Sequence, residues 1–168
     1  MDRLTPTGLT VRMTITAKDT VLVIATIAAG LIAGLFYAYT VSVMPGLART
    51  DDRTFVESMR GIDIAIQNGW FMLTFLGAPL LAAVAGVLYR RSGAPLWWIV
   101  AGFVCLVAMI VITGAVHVPM NNALHAGGDS YADLRARFEV PWVRWNVVRM
   151  AVSIAGFGCL FGAVLSRR

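Results

Sequence analysis

The segment Ser92–Gly128, SGAPLWWIVAGFVCLVAMIVITGAVHVPMNNALHAGG, contains no Asp, Glu, Lys or Arg. A helix needs about 20 apolar residues to cross the roughly 30 Å hydrocarbon core of a membrane. Three further uncharged stretches are near or above this length: Thr20–Ala48, Ile64–Tyr89 and Met150–Ser166. This pattern predicts a polytopic helical membrane protein.

The composition of the whole chain supports the same class. The 168 residues are 58% hydrophobic and 14% charged, and their mean hydropathy is +0.75. Soluble domains carry about 25% charged residues, so a water-soluble enzyme, a disordered chain and a disulfide scaffold are excluded. A membrane β-barrel is excluded because its strands would alternate polar and apolar residues. The net charge is +5, but no basic run exceeds two residues, which indicates topology signals rather than nucleic-acid binding.

The apolar stretches and the prolines predict an all-α fold, a polytopic membrane four-helix bundle. A polar tail over residues 1–18 precedes one domain over residues 19–168. The predicted helices are 19–43, 67–89, 95–118 and 141–165. Proline and glycine disfavour helix continuation, so Met44-Pro45-Gly46 is expected to end the first helix and Pro119 the third. Pro141 is expected to lie at the start of the fourth helix.

Two long connections, at one end of the bundle, are predicted to be structured. Thr54 and Glu57 have the spacing of a capping box, and no proline interrupts the chain from there to Ala78. The second helix is therefore expected to have an N-terminal extension from about residue 54. Ser130 and Asp133 repeat the spacing before the fourth helix. We expect the two long loops to cap one face of the bundle.

Charge placement and small residues bear on topology and packing. The short loop 90–94 and both termini share one side and carry basic residues close to the membrane ends: Lys18, Arg90, Arg91, Arg167 and Arg168. By the positive-inside rule the protein is a multi-pass protein of the cell inner (plasma) membrane with cytoplasmic termini. Small residues four apart allow close helix contact at Gly30/Gly34, Ala82/Gly86 and Gly158/Gly162. Packing within the bundle is the favoured interpretation, and an oligomer remains an alternative.

Polar side chains gather at the end of the bundle that bears the long loops. They are costly at membrane depth, so each requires a partner or a role. Helical spacing places Trp142, Trp145, Asn146 and Arg149 on one face directed into the bundle. Asp63 is the expected partner of Arg149. Interfacial tryptophans, helix capping and polar contacts between helices are the structural alternatives.

The sequence provides no strong metal or cofactor motif. His117 and His125 are the only histidines, and their spacing of eight differs from that of a two-histidine helical site. A copper site that adds Met44 and Met120 remains an alternative. There is no Walker loop, nucleophile elbow, Cys-x-x-Cys or dinucleotide fingerprint. We therefore assign neither a metal nor a cofactor.

Four sequence elements together resemble the anthrone oxygenase family of small four-helix membrane proteins. They are Met44-Pro45-Gly46-Leu47; Phe55…Met59…Ile62-Asp63…Ile66-Gln67-Asn68…Phe71; Val118-Pro119-Met120-Asn121-Asn122-Ala123-Leu124; and Trp142…Trp145-Asn146…Arg149. The resemblance covers about residues 20–165. Asp63 departs from the pattern, in which asparagine is expected.

The resemblance implies oxidation of an anthrone or another hydrophobic aromatic compound by dioxygen, without a bound cofactor. Such a reaction requires a base, donors to an oxyanion and an apolar aromatic slot. His117 is the candidate base, and Asn121, Asn146 and Arg149 are the candidate oxyanion donors. The candidate substrate-binding residues are Asp63, Gln67, Trp70, Phe71, Trp142 and Trp145, of which Trp70, Phe71 and Trp145 are expected to sandwich the rings. The competing class is a non-catalytic membrane protein, either an accessory subunit or a binder of hydrophobic ligands.

Overall fold

Five helices occur in residues 16–128 and 130–166, the part of the chain that a computed structural model describes. They are α1 (Ala17–Leu47), α2 (Asp52–Ile66), α3 (Gly69–Leu88), α4 (Ala94–Ala126) and α5 (Tyr131–Leu165). No β-strand occurs in these residues, which confirms the predicted all-α class. Most of the predicted polar tail, and Arg167 and Arg168, lie outside the described residues.

Four of these helices, α1, α3, α4 and α5, are long and apolar enough to cross a membrane. They form a closed bundle in which α1 packs on α3 and α5, and α4 packs on the same two helices. Its core includes Leu22, Ile32, Phe75, Ile99, Leu106 and Leu160. Large apolar side chains such as Leu31, Leu80 and Val104 are exposed on the outside. A bundle that is apolar on both its inner and outer surfaces is that of a multi-pass membrane protein.

Two helices continue through the prolines that were predicted to end them. α1 extends past Pro45 and α4 past Pro119, so both predicted ends are wrong. In each helix a five-residue π segment, Tyr39–Val43 or Thr113–His117, directly precedes the turn that contains the proline. Proline clashes with the carbonyl four residues before it, and here that carbonyl lies in the widened π turn. We infer that the π segments relieve the clash and allow the helices to continue.

The fourth membrane helix, α5, begins ten residues earlier than predicted. Its N-cap is Ser130, whose Oγ accepts a hydrogen bond from the backbone N–H of Asp133 at 3.2 Å, as the spacing predicted. Pro141 lies inside the helix. Leu134 and Phe138 are buried one turn apart on the face that continues into the bundle. Burial of this apolar stripe offsets the backbone hydrogen bond that the proline cannot donate.

The second predicted helix is divided into α2 and α3, so the predicted continuous extension is wrong. Asn68 caps α3, because its Oδ1 accepts a hydrogen bond from the N–H of Phe71 at 3.1 Å. Short polar side chains of this kind compete with the helical backbone and favour a break. The N-cap of α2 is Asp51, which accepts from the N–H of Thr54 at 3.0 Å, so the capping box expected at Thr54 and Glu57 is wrong and the helix begins two residues earlier.

The end of the bundle is covered by a cap layer, which comprises α2, residues Val118–Ala126 of α4 and the first three turns of α5. A second hydrophobic cluster lies beneath it: Met44, Phe55, Val56, Met59, Leu124, Leu134, Phe138 and Trp142. Arg60 donates two hydrogen bonds to the Leu124 carbonyl, at 2.7 and 3.0 Å. Arg135 donates to the carbonyls of Ala48 and Thr50, at 2.9 and 2.8 Å. The two arginines thus satisfy carbonyls at and beyond the C-terminal ends of α4 and α1. The long connections therefore do cap one face of the bundle.

Close packing of α4 against α5 depends on Gly102 and Gly156. A Cβ at Gly102 would lie 2.9 Å from two side-chain carbons of Leu160 and 3.1 Å from the Gly156 carbonyl oxygen. Among the glycines that the sequence singled out, three also lie close to a neighbouring helix: a Cβ would lie 3.1 Å from Phe157 at Gly30, 3.2 Å from Trp98 at Gly162 and 3.7 Å from Ile99 at Gly86. A Cβ at Gly34 or Gly158 would have no atom within 4 Å. The tight contact was missed because Gly102 and Gly156 lie on different helices.

We expect Gly102→Ala to lower the free energy of unfolding by about 1–3 kcal/mol, because overpacking forces the helices apart. The matched control is Gly158→Ala on α5, which adds the same methyl group to open space and should leave stability unchanged or raise it by up to about 1 kcal/mol, because alanine has the higher helix propensity. Thermal unfolding of both variants in the same neutral detergent measures the difference. Equal behaviour of the two variants would contradict the packing.

Candidate functional site

A cavity of about 300 Å³ lies between the bundle and the cap layer. This volume is at the lower end of the range for small-molecule sites. Its lining includes seven predicted site residues: Asp63, Gln67, Phe71, His117, Asn121, Trp142 and Arg149. Phe36, Tyr39, Met59, Phe75 and Thr113 also line it and were not predicted. All five helices contribute to its wall, so the cavity depends on assembly of the whole fold.

His117 is buried in the wall of this cavity, with 1% of its surface exposed. It is the last residue of the π segment in α4. Its Nδ1 lies 3.5 Å from the carbonyl oxygen of Ile112, and its Nε2 has no hydrogen-bond partner among the described residues. The ring meets that of Trp142 edge to face, with centroids 5.3 Å apart. A proton on Nδ1 directed at the carbonyl leaves Nε2 with an unused lone pair.

Arg149 is the buried cation of the cavity, with 7% of its surface exposed. Its Nη2 donates to Asn146 Oδ1 at 2.8 Å, and its Nη1 has a long contact of 3.4 Å to Thr113 Oγ1. Its Nε has no partner in the described part of the chain. The guanidinium lies over the ring of Phe36, 4.0 Å from the centroid, and 5.6 Å from that of Trp142. Aromatic faces attract a cation but do not neutralise its charge.

The predicted ion pair between Asp63 and Arg149 is wrong. Asp63 instead accepts a hydrogen bond from Asn121 Nδ2 and pairs with His125 Nε2 at 3.0 Å. Asn121 Oδ1 accepts from Trp142 Nε1 at 3.1 Å, so the network joins α2, α4 and α5. Among the residues described, no carboxylate lies within 4.0 Å of Arg149. The role of His125 was missed because α4 was expected to end before it.

Asn146 lies behind Arg149 rather than in the cavity wall. It is fully buried, and its Nδ2 donates to the Phe36 carbonyl at 3.2 Å and to Thr40 Oγ1 at 2.9 Å. Its Oδ1 accepts the hydrogen bond from Arg149. The predicted role as a direct oxyanion donor is therefore not met, because both of its polar atoms are already bonded to protein. Asn146 therefore links α1 to the guanidinium.

Trp70 and Trp145 do not line the cavity. Trp70 is 84% exposed and Trp145 is 42% exposed, so neither indole is placed to sandwich a substrate in the cavity. Phe71 and Trp142 do lie in its wall. Trp70 precedes Phe71 at the start of α3 and faces outward, where an indole suits the membrane–water interface.

No group of three or more His, Cys, Asp or Glu side chains that could hold a metal ion occurs in residues 16–128 and 130–166. Met44 belongs to the cluster beneath the cap layer, and Met120 packs against it. His125 pairs with Asp63, and His117 contacts the Ile112 carbonyl. The four residues of the copper alternative thus each have other contacts in the described part of the chain.

Comparison with known proteins supports the resemblance seen in the sequence. The profile of the anthrone oxygenase family, described as "Anthrone oxygenase", matches residues 70–159, which is more than half of the chain. No curated protein and no solved structure matches the chain. The matched region includes His117, Asn121, Trp142 and Arg149, four residues of the cavity wall. The chain therefore belongs to the anthrone oxygenase family.

Proposed function

We propose that this protein is a membrane oxygenase that uses dioxygen to convert an anthrone, or a similar electron-rich aromatic, into a quinone. One observation carries the proposal beyond family membership. His117, with an unpartnered Nε2, and Arg149, without a carboxylate partner among the described residues, line the same cavity. A base and a cation facing one apolar space are what the formation of a carbanion or enolate requires.

The proposed reaction begins with proton transfer from the methylene carbon of the anthrone to His117 Nε2. The electron pair of the broken C–H bond moves to the carbonyl oxygen and gives an enolate. Dioxygen then forms a C–O bond at that carbon, and the resulting peroxide takes up the proton. Loss of the second C–H proton with cleavage of the O–O bond forms the new carbonyl and releases water. Anthrone and dioxygen thus yield anthraquinone and water, and dioxygen is the oxidant.

The other residues of the cavity would hold the substrate and the charge. Arg149 would stabilise the enolate oxygen in a space of low polarity, where such stabilisation is strongest. Phe36, Phe71 and Trp142 line the same space and would contact the rings. Asn146 fixes the guanidinium through its bond to Nη2. These roles correspond to the base, donor and slot that the chemistry requires.

A route for protons also forms part of the proposal. Asp63 lines the cavity, and its partner His125 is partly exposed in the cap layer. A carboxylate and an imidazole in hydrogen-bond contact can pass a proton between the cavity and water. The reaction returns each proton to its products, so the pair would bring the buried site into proton equilibrium with water between turnovers.

The proposal places the protein in the inner (plasma) membrane as a multi-pass protein with cytoplasmic termini, surrounded by lipid. Arg91 in the loop between α3 and α4 provides the test. In intact cells, Arg91→Cys should resist an impermeant thiol reagent, whereas Ala123→Cys, in the cap layer on the opposite side, should be the better labelled. Both native cysteines are first replaced by alanine. Labelling of the Arg91→Cys protein from outside would reverse the topology.

The second candidate function is that of a non-catalytic binder of hydrophobic ligands. The observation that favours it is the double contact of Asn146 with α1, which is also what a purely structural polar link between helices would show. The two candidates differ in whether a bound aromatic is consumed.

The experiment is a product balance with the protein in neutral detergent, after chelator treatment, with an anthrone as substrate. We expect one anthraquinone per dioxygen consumed, and no dioxygen returned when catalase is added. Empty micelles measure the autoxidation to be subtracted. Absence of any protein-dependent anthraquinone would contradict the oxygenase reaction and favour the second candidate, a binder of hydrophobic ligands. Accumulation of hydrogen peroxide would contradict the proposed release of water.

A further inference from the structure

We propose that the cavity binds planar aromatic oxyanions as its ground-state ligands, and that Arg149 makes this selection. The inference rests on the proposed function only in taking the ligand to be aromatic. It goes beyond that function because it concerns the charge of the ligand before any reaction. Acidic aromatics, which carry an ionised carboxylate, phenol or enol, are then preferred over neutral aromatics of the same shape.

The first support is the charge of the cavity. Burial of a cation without a partner is costly, whereas a buried pair recovers much of that cost. Arg149 is 93% buried and no carboxylate of the described residues lies within 4.0 Å of it. Asp63 also lines the cavity, but its two oxygens are bonded to Asn121 and His125. A ligand anion is the missing counter-charge.

The second support is the hydrogen-bonding capacity that the guanidinium leaves unused. The guanidinium lies over the rings of Phe36 and Trp142, and Asn146 Oδ1 accepts a hydrogen bond from its Nη2. Nε–H has no partner in the described part of the chain, and the one contact of Nη1 is long, at 3.4 Å. Its free hydrogen-bonding capacity therefore lies along the edge of the group. An oxyanion placed there receives charge-assisted hydrogen bonds, and a carboxylate can receive two.

The third support is the apolar wall that surrounds this charge. Phe71 and Phe75 stack with centroids 5.0 Å apart, and both line the cavity with Met59 and Tyr39. Such a wall binds the body of an aromatic molecule, whereas a small hydrated anion gains nothing from it. The combination of one buried cation and aromatic walls therefore selects flat aromatic oxyanions.

The test uses two probes of nearly equal shape, 9-anthracenecarboxylate and the neutral 9-anthracenemethanol, together with the smaller pair benzoate and benzyl alcohol. Equilibrium dialysis against the protein in neutral detergent, with empty micelles subtracted, gives the dissociation constants. We expect the carboxylate of at least one pair to bind about tenfold more tightly than its alcohol. Arg149→Gln should abolish this preference. Arg149→Lys should keep part of the preference, because lysine retains the charge but lacks the planar guanidinium that can donate two parallel hydrogen bonds to a carboxylate.

Arg144→Gln is the matched control, since Arg144 is exposed on the same helix and should leave the preference unchanged. Equal binding of acid and alcohol by the unmodified protein would overturn the inference, and so would failure of both carboxylates to bind. Persistence of the preference in Arg149→Gln would overturn the role of that residue. These outcomes are separate from the oxygenase proposal. Preferential binding of the carboxylates without turnover would contradict only the oxygenase reaction. Turnover without a preference for the carboxylates would contradict only the present inference.

Discussion

Replacement of His117 by alanine is expected to lower kcat for anthrone oxidation by about 10²–10⁴-fold, the usual contribution of a positioned general base. The reason is the location of Nε2, which is buried at the cavity wall without a partner among the described residues. No other imidazole lines the cavity in the described structure. The variant should still fold, because the one hydrogen-bond contact of this side chain among the described residues, to Ile112, is long.

The measurement is the initial rate of quinone formation, with thermal unfolding recorded on the same preparation. Added imidazole should restore part of the activity, because truncation leaves a space of its size in the wall. Thr26→Ala is the control, since Thr26 is a buried polar residue of α1 that is not part of the cavity lining. Full turnover by His117→Ala, at normal expression, would remove His117 as the base.

Replacement of Arg149 by glutamine is the second large effect, with an expected loss of about 10²–10³-fold in kcat/KM. Among the described residues, the guanidinium is the one cationic side chain of arginine or lysine that lines the cavity. Its loss removes the proposed donor to the enolate oxygen. Arg149→Lys should recover part of the rate through its charge. Arg144→Gln, on the exposed side of α5, should leave the rate unchanged.

The stability of Arg149→Gln separates a catalytic role from a structural one. A buried charge without a partner does not stabilise a fold, so its removal should leave the thermal unfolding temperature in detergent unchanged or higher. If Arg149 served mainly to link helices, the same variant would unfold at a lower temperature while any ligand binding persisted. A large fall in both stability and activity of Arg149→Gln, but not of Arg149→Lys, would contradict the assignment as an active-site cation.

The part of the fold that follows from hydropathy could be predicted from the sequence. Four uncharged stretches determined four membrane helices, because a helix of apolar residues is the least costly way to place backbone groups in lipid. Ser130 and Asp133 also predicted their cap correctly, since this signal is local. The gathering of His117, Asn121 and Arg149 around one space followed from their common depth in the membrane.

The helix ends could not be predicted by the same reasoning. Proline disfavours a regular α-helix, but Pro45 and Pro119 each follow a π segment that no sequence rule specified. Because α4 was expected to end at residue 118, His125 was not placed one turn after Asn121 on the same face. That error gave Asp63 the wrong partner.

Contacts between distant segments could be predicted only in part, since the singled-out Gly30 and Gly162 do lie against a neighbouring helix, at Phe157 and Trp98. The close approach at Gly102 and Gly156 depends on the relative rotation of α4 and α5, which hydropathy does not determine. Trp145 shows the same limit within one helix. It lies three residues from the buried Trp142, yet it is exposed, because its position falls on the flank of the inward face.

Oxygenase activity with His117 as the base is tested most directly by the initial rate of dioxygen uptake in the presence of an anthrone. The rate is compared between the chelator-treated protein and its His117→Ala variant. Empty micelles provide the rate of autoxidation. We expect a rate above autoxidation that rises in proportion to the concentration of the unmodified protein and is lost in the variant. A rate that equals autoxidation, or one that His117→Ala leaves unchanged, would contradict this expectation.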